Sequence, residues 1–116
     1  MAVLPLNTFK TIARPIPTVD TAPLGVEIYS CPAGVTAIVL LAQISNVGTQ
    51  TGKASFSHMR LNNETFLVKN AAIPINDALS VLTGRLVAQE SDRIRVTAAS
   101  GSDLQIVLSI VESANS

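Results

Sequence analysis

Cys31 and His58 are the side chains best suited to nucleophilic chemistry, and the chain has one residue of each type. A thiol becomes an effective nucleophile when an imidazole beside it takes its proton. Both residues lie in strand-like surroundings, and small buried cysteines are common in cores, so packing is the competing reading. A single cysteine allows no intrachain disulfide. A lone thiol fits assembly in a reducing cytoplasm better than secretion.

The carboxylates offer little more. Glu90 and Asp92 stand two apart in a turn, with Asp103 distant in sequence, and no calcium-loop pattern surrounds them. Paired carboxylates could hydrolyse a glycoside, but sugar sites favour aromatic platforms. The chain has no Trp, one Tyr (Tyr29) and three Phe (Phe9, Phe56, Phe66). Phe56 and Phe66 alternate with small or apolar neighbours across a hairpin, which predicts core positions for both. Pro32 to Thr36 reads as strand–turn–strand and presents no helix N-terminus to an anion. Asn63-Glu64-Thr65 matches a glycosylation acceptor, a three-residue pattern that chance often produces. No serine sits in a nucleophile elbow. The expectation is a protein without catalytic residues, metal or cofactor.

Charge points the same way. Eight basic and eight acidic residues cancel and are scattered singly. Arg93 and Arg95 share one strand face, with Arg85 upstream. That is short of the basic stripe that neutralises several phosphates, so a solvated strand face and no nucleic-acid partner are expected. Only 14% of the 116 residues are charged and 47% are hydrophobic, whereas about a quarter of an average soluble domain is charged. The longest apolar run, Ala37–Ala42, is strand length, far short of the roughly 20 residues of a membrane helix. No membrane partner is expected, so the excess apolar surface must be covered by protein. Met1–Leu6 has no basic region followed by a long apolar stretch, so no signal peptide is expected.

The elements that would position these residues are short strands. Turn signals at Cys31-Pro32-Ala33-Gly34, Asn46-Val47-Gly48, Leu61-Asn62-Asn63-Glu64, Asn76-Asp77, Thr83-Gly84, Glu90-Ser91-Asp92 and Ser100-Gly101-Ser102-Asp103 cut residues 26–112 at regular intervals. Ile75–Leu82 is the nearest approach to a helical turn. The pattern predicts an all-β, single antiparallel β-sandwich over residues 26–116, jelly-roll or Ig-like, with about eight strands. Residues 1–25 differ. They hold Pro5, Pro15, Pro17 and Pro23, which favour extended geometry, and are predicted to form an extended N-terminal arm, with Thr8–Ala13 as a possible first strand. The arm carries Val3, Leu4, Leu6, Phe9, Ile12, Arg14 and Ile16, too apolar for a disordered tail, and is expected to lie on its own sheet or on a neighbour.

The strand faces suggest where a neighbour would sit. In the last strand, Leu104, Ile106, Leu108 and Ile110 form a core face, while Gln105, Val107, Ser109 and Val111 form an opposite face that is only half polar. In Thr36–Asn46 the outer face is read as Ala37, Val39, Leu41 and Gln43. Strands apolar on both faces are covered on both faces. Val39, Leu41, Val107 and Val111 therefore join the arm residues as expected subunit-interface positions.

Four segments also carry a resemblance. Glu27-Ile28-Tyr29-Ser30-Cys31-Pro32-Ala33-Gly34-Val35-Thr36-Ala37-Ile38-Val39 is one. The others are Glu64–Asn70 with Ile73–Ala78, Leu82–Val87, and Asp103–Glu112. Together they are spread over roughly residues 26–112, and the chain resembles small virion structural proteins of tailed bacteriophages, of the cyanophage-like myovirus type. None of the segments is a catalytic signature. The resemblance implies a virion component assembled in the host cytoplasm, with other copies of itself and other virion proteins as partners. The expected function is a non-enzymatic, self-assembling structural protein at the neck, tail or fibre base, as a homo-oligomer (trimer or ring). The alternatives are a capsid decoration or cement protein, and a module binding a host-surface glycan or receptor.

Overall fold

The structure, a computed structural model, describes residues 7–82 and 84–114, with Asn7 as backbone only. The elements are β1 (Asn7–Ile16), β2 (Val26–Ser30), β3 (Val35–Asn46), β4 (Gly52–Arg60), β5 (Asn63–Ile73), β6 (Ala78–Ser80), β7 (Leu86–Ala88), β8 (Arg93–Ala98) and β9 (Leu104–Ala114). Ile75–Leu82, weighed as a helical turn, holds the short strand β6.

Two antiparallel sheets form. Sheet 1 runs β1-β9-β3, with β6 and β7 pairing opposite ends of β3, and sheet 2 runs β2-β8-β4-β5. Taking β6 and β7 as one broken strand, this is an eight-stranded double Greek key in which the first strand pairs with the last. In an Ig-like sandwich the first two strands would share a sheet. The fold is a jelly roll.

The period-2 alternation of apolar residues builds the core. Leu104, Ile106, Leu108 and Ile110 of β9 face Phe56 of β4 and Ile94 and Val96 of β8, and all are buried. Strand β3 breaks its own alternation. A bulge falls between Val39 and Leu41, so Ala37 and Val39 face inward before it, Ala42 and Ile44 after it, and Leu40 and Leu41 are both exposed. Val39, expected on the outer face, is instead fully buried, because the extra bulge residue reverses the phase of the pleat.

Within the segment expected as an arm, Asn7–Ile16 is strand β1 and pairs with β9 over its whole length. Ile16, expected at an interface, is a core residue opposite Leu104. Ile12 is half-buried against the same core. The alternation puts Lys10 and Arg14 on the core-facing side of this edge strand, opposite Ile110 and Ile106. Pro15 is tolerated there because an edge strand has one unpaired side. Val3, Leu4 and Leu6 lie outside the described residues. Phe66, expected in the core, is 42% exposed. Register shifts on both sides of Phe56 place Phe66 opposite Ser57 on the outer face, where Lys69 Nζ lies 4.9 Å from its ring centre.

Candidate interaction surface

The residues weighed for nucleophilic chemistry go to separate partners. Cys31 is buried at the end of β2, its Sγ 3.3 Å from the Val35 carbonyl oxygen and 3.5 Å from that of Ala88. Burial pushes its thiol pKa up, away from the thiolate that chemistry requires. His58 faces inward from β4, with Nε2 2.9 Å from Asp92 Oδ2. Asp92, in the turn before β8, also accepts from the Gln89 backbone N–H at 2.9 Å and from Arg60 Nη2 at 2.8 Å. These contacts, the Arg60 guanidinium foremost, hold its carboxyl well below the usual range. Asp92 therefore ties a turn to β4 and serves the framework. Asn46 does the same for the next loop, donating to the Gln50 and Ile73 carbonyls and accepting from the Gly48 N–H.

A second buried cluster joins the sheets. Glu112 continues the core face of β9 beyond Ile110 and is almost fully buried. Its Oε2 accepts from Tyr29 Oη and its Oε1 pairs with Lys10 Nζ at 3.0 Å. The hydrogen bond from Tyr29, with Lys10 beside it, lowers the Glu112 pKa, whereas burial and that same partner raise the Tyr29 pKa. Three strands (β1, β2 and β9) are thereby pinned at one end of the sandwich. Among the described residues every buried side-chain nitrogen and oxygen has a hydrogen-bond partner. Interior polar groups are thus spent on holding the fold.

The two outer faces differ sharply in chemistry. On sheet 2, Arg93 pairs with Glu27 at 2.7 Å and Arg95 with Glu64 at 3.6 Å, and Ser57 donates to Glu64. Arg93 and Arg95, weighed as a phosphate-binding face, are thus matched by acids across the sheet. On sheet 1, none of the described outward-facing strand residues is charged. The register sets them in rows. Phe9, Val111, Ile38 and Val87 stand directly opposite one another across β1, β9, β3 and β7. Thr11, Ser109 and Leu41 form the next row, and Ala13, Val107, Gln43 and Ser80 the one after.

Phe9 is 74% exposed, and Leu40, Leu41, Val87 and Val107 are exposed beside it. A shallow open depression of about 210 Å³ is lined by Ala13, Arg14, Pro15, Gln105, Ile106 and Val107. Of the expected interface residues, Phe9, Leu41, Val107 and Val111 meet on this face, Arg14 belongs to the inward phase of β1 and lines the depression, and Val39 and Ile16 are interior. Ile38, Leu40 and Val87 were not expected here. The bulge brings the first two to it, and a three-residue strand supplies the last. The alternation Leu104, Ile106, Leu108, Ile110 in the sequence also points inward at position 112, the signal by which buried Glu112 is legible.

No family model matches the chain, and no curated protein does either. Solved structures do. A chain from work describing Bacillus endospore appendages as a novel family of disulfide-linked pili aligns over 100% of this chain and 98% of its own, with a TM-score of 0.54 and 9% identity. The nucleoplasmin-like N-terminal domain of Drosophila FKBP39 aligns over 96% and 94%, with a TM-score of 0.50 and 14% identity. At such identities the likeness is one of fold.

Proposed function

We propose that this chain is a non-enzymatic structural subunit of a tailed-phage particle, assembling with copies of itself at the neck, tail or fibre base. One observation carries the self-assembly. The outer face of sheet 1 is uncharged across four strands and exposes large apolar side chains, while sheet 2 presents paired charges to water beside the exposed Phe66. An apolar face of this extent belongs against protein. The virion setting draws support from the resemblance of residues 26–112. The same fold occurs in a chain of Bacillus endospore appendages, which form disulfide-linked pili, so the fold is compatible with repetitive assembly. Cys31, being buried, gives this chain no comparable surface link among the described residues.

The test has two arms. Sedimentation of the purified full chain should give a mass above that of one chain, and a single-chain mass at every concentration would end the self-assembly reading. Quantitative mass spectrometry of purified particles should find tens of copies or fewer. Hundreds of copies would move the protein to the shell, and none would remove it from the virion.

A further inference from the structure

We propose that the unit of assembly is a face-to-face pair of chains, joined through the outer face of sheet 1 by a two-fold axis that runs across the strands along the row Thr11–Ser109–Leu41. The inference rests on the self-assembly reading above and names the surface and the partner.

A second copy is the occupant because of what the face lacks. A charged partner surface would lose hydration on docking and meet only Arg14, in the lining of the depression, among the described residues, at a cost of several kcal/mol per unpaired ion. Another copy of the same face brings only apolar and neutral polar groups. The area is also sufficient. Strands about 4.8 Å apart and about 3.4 Å per residue, over ten residues of β1, β9 and β3 and three each of β6 and β7, give roughly 590 Å² per copy. The pair would bury about 1,200 Å², at the lower edge of the range of stable specific interfaces.

The axis follows from the rows. Face-to-face sheets keep their strands within about 30° of each other, and a two-fold interface must be self-complementary. Rotation about the Thr11–Ser109–Leu41 row carries the row of Phe9 onto the row of Ala13 in the other copy, because each lies two residues from the axis. Phe9, the most exposed side chain of the face, then meets Ala13 and the depression beside Val107 and Gln105. Val111 meets Val107, and Ser109 approaches Ser109 across the axis. Bulk on one side of the axis faces a hollow on the other. An expected ring would then be built from two-fold pairs, and a trimer of single chains would not form through this face.

The test uses the full chain. Wild type should sediment as two chains or a multiple of two. Phe9→Asp should still unfold in one cooperative transition, since Phe9 is exposed, with a midpoint lowered only by the lost contribution of pairing, yet weaken pairing at least about a hundredfold, because each pair carries the change twice. Ser109→Cys should couple to itself in high yield with a short thiol-to-thiol crosslinker, and Thr97→Cys, on the outer face of sheet 2, should not. If Phe9→Asp keeps the wild-type mass, or Thr97→Cys couples as well as Ser109→Cys, copies meet through another surface. The face assignment then falls while self-assembly stands. A wild-type chain that stays single overturns both.

Discussion

Tyr29 and Glu112, 83 positions apart in sequence, meet between the two sheets, the phenol donating to Glu112 Oε2 at 2.5 Å. The contact joins the edge of sheet 2 to the centre of sheet 1, where Glu112 also takes the Lys10 ammonium. Tyr29→Phe removes the donor and leaves a buried carboxylate with one partner. Such a loss costs about 1.5–3 kcal/mol, to be read as a lower urea midpoint with an unchanged slope.

Acid should weaken the fold through the same groups. Asp92 and Glu112 both have pKa values lowered in the folded chain. A lowered carboxylate stabilises the fold above its unfolded pKa, and that stability is lost as pH falls through the folded value. Urea midpoints should therefore be level from about pH 7 to about pH 5 and fall below about pH 4. Asp92→Asn should lower the neutral midpoint and flatten the acid decline. An unchanged pH profile in that variant would show that Asp92 does not govern it.

The charged face of sheet 2 should contribute little to stability despite its visible ion pairs. Arg95→Ala breaks a pair held at 3.6 Å in contact with solvent, worth no more than about 1 kcal/mol. Phe56→Ala, in the fully buried centre of β4, should cost about 3–5 kcal/mol. Thermal unfolding of the two variants side by side gives the ratio.

The hairpin between β4 and β5 carries removable strain. Leu61 has a φ of 56° and its side chain is 76% exposed, so it holds left-handed geometry without packing to offset it. Leu61→Gly relieves about 1 kcal/mol of that strain, less the extra freedom glycine gains on unfolding. The Leu61 carbonyl, which accepts from Arg93 Nη2 at 2.6 Å, is kept. A higher thermal midpoint is the expected result.

Much of this architecture is legible in the sequence because it depends on local alternation. Val26–Ser30 ends, and Arg93–Ala98 begins, where the turn signals Cys31–Gly34 and Glu90–Asp92 predict, and the inner face of β9 follows its residues one by one. What escaped depends on pairing. In the apolar run Ala37–Ala42 no side chain marks the bulge at Leu40, so simple alternation places Val39 on the outer face, whereas it is buried. Ile16, between Pro15 and Pro17, is interior because β1 is an edge strand that tolerates proline. Phe66 turns outward through register shifts set by its partner strand. The outer face was half legible: Val107 and Val111 in β9 announced it, but its rows exist only once β1, β3 and β7 are aligned beside them.

Lys10 and Arg14 lie under the open edge of β1, beside a proline that offers no N–H, and the opposite edge of sheet 1 is broken between β6 and β7. Charged groups turned inward and interrupted edges both oppose the addition of a foreign strand. A sheet blocked at both ends behaves as a counting device. Raising the protein concentration should then increase the number of complexes and leave their length unchanged.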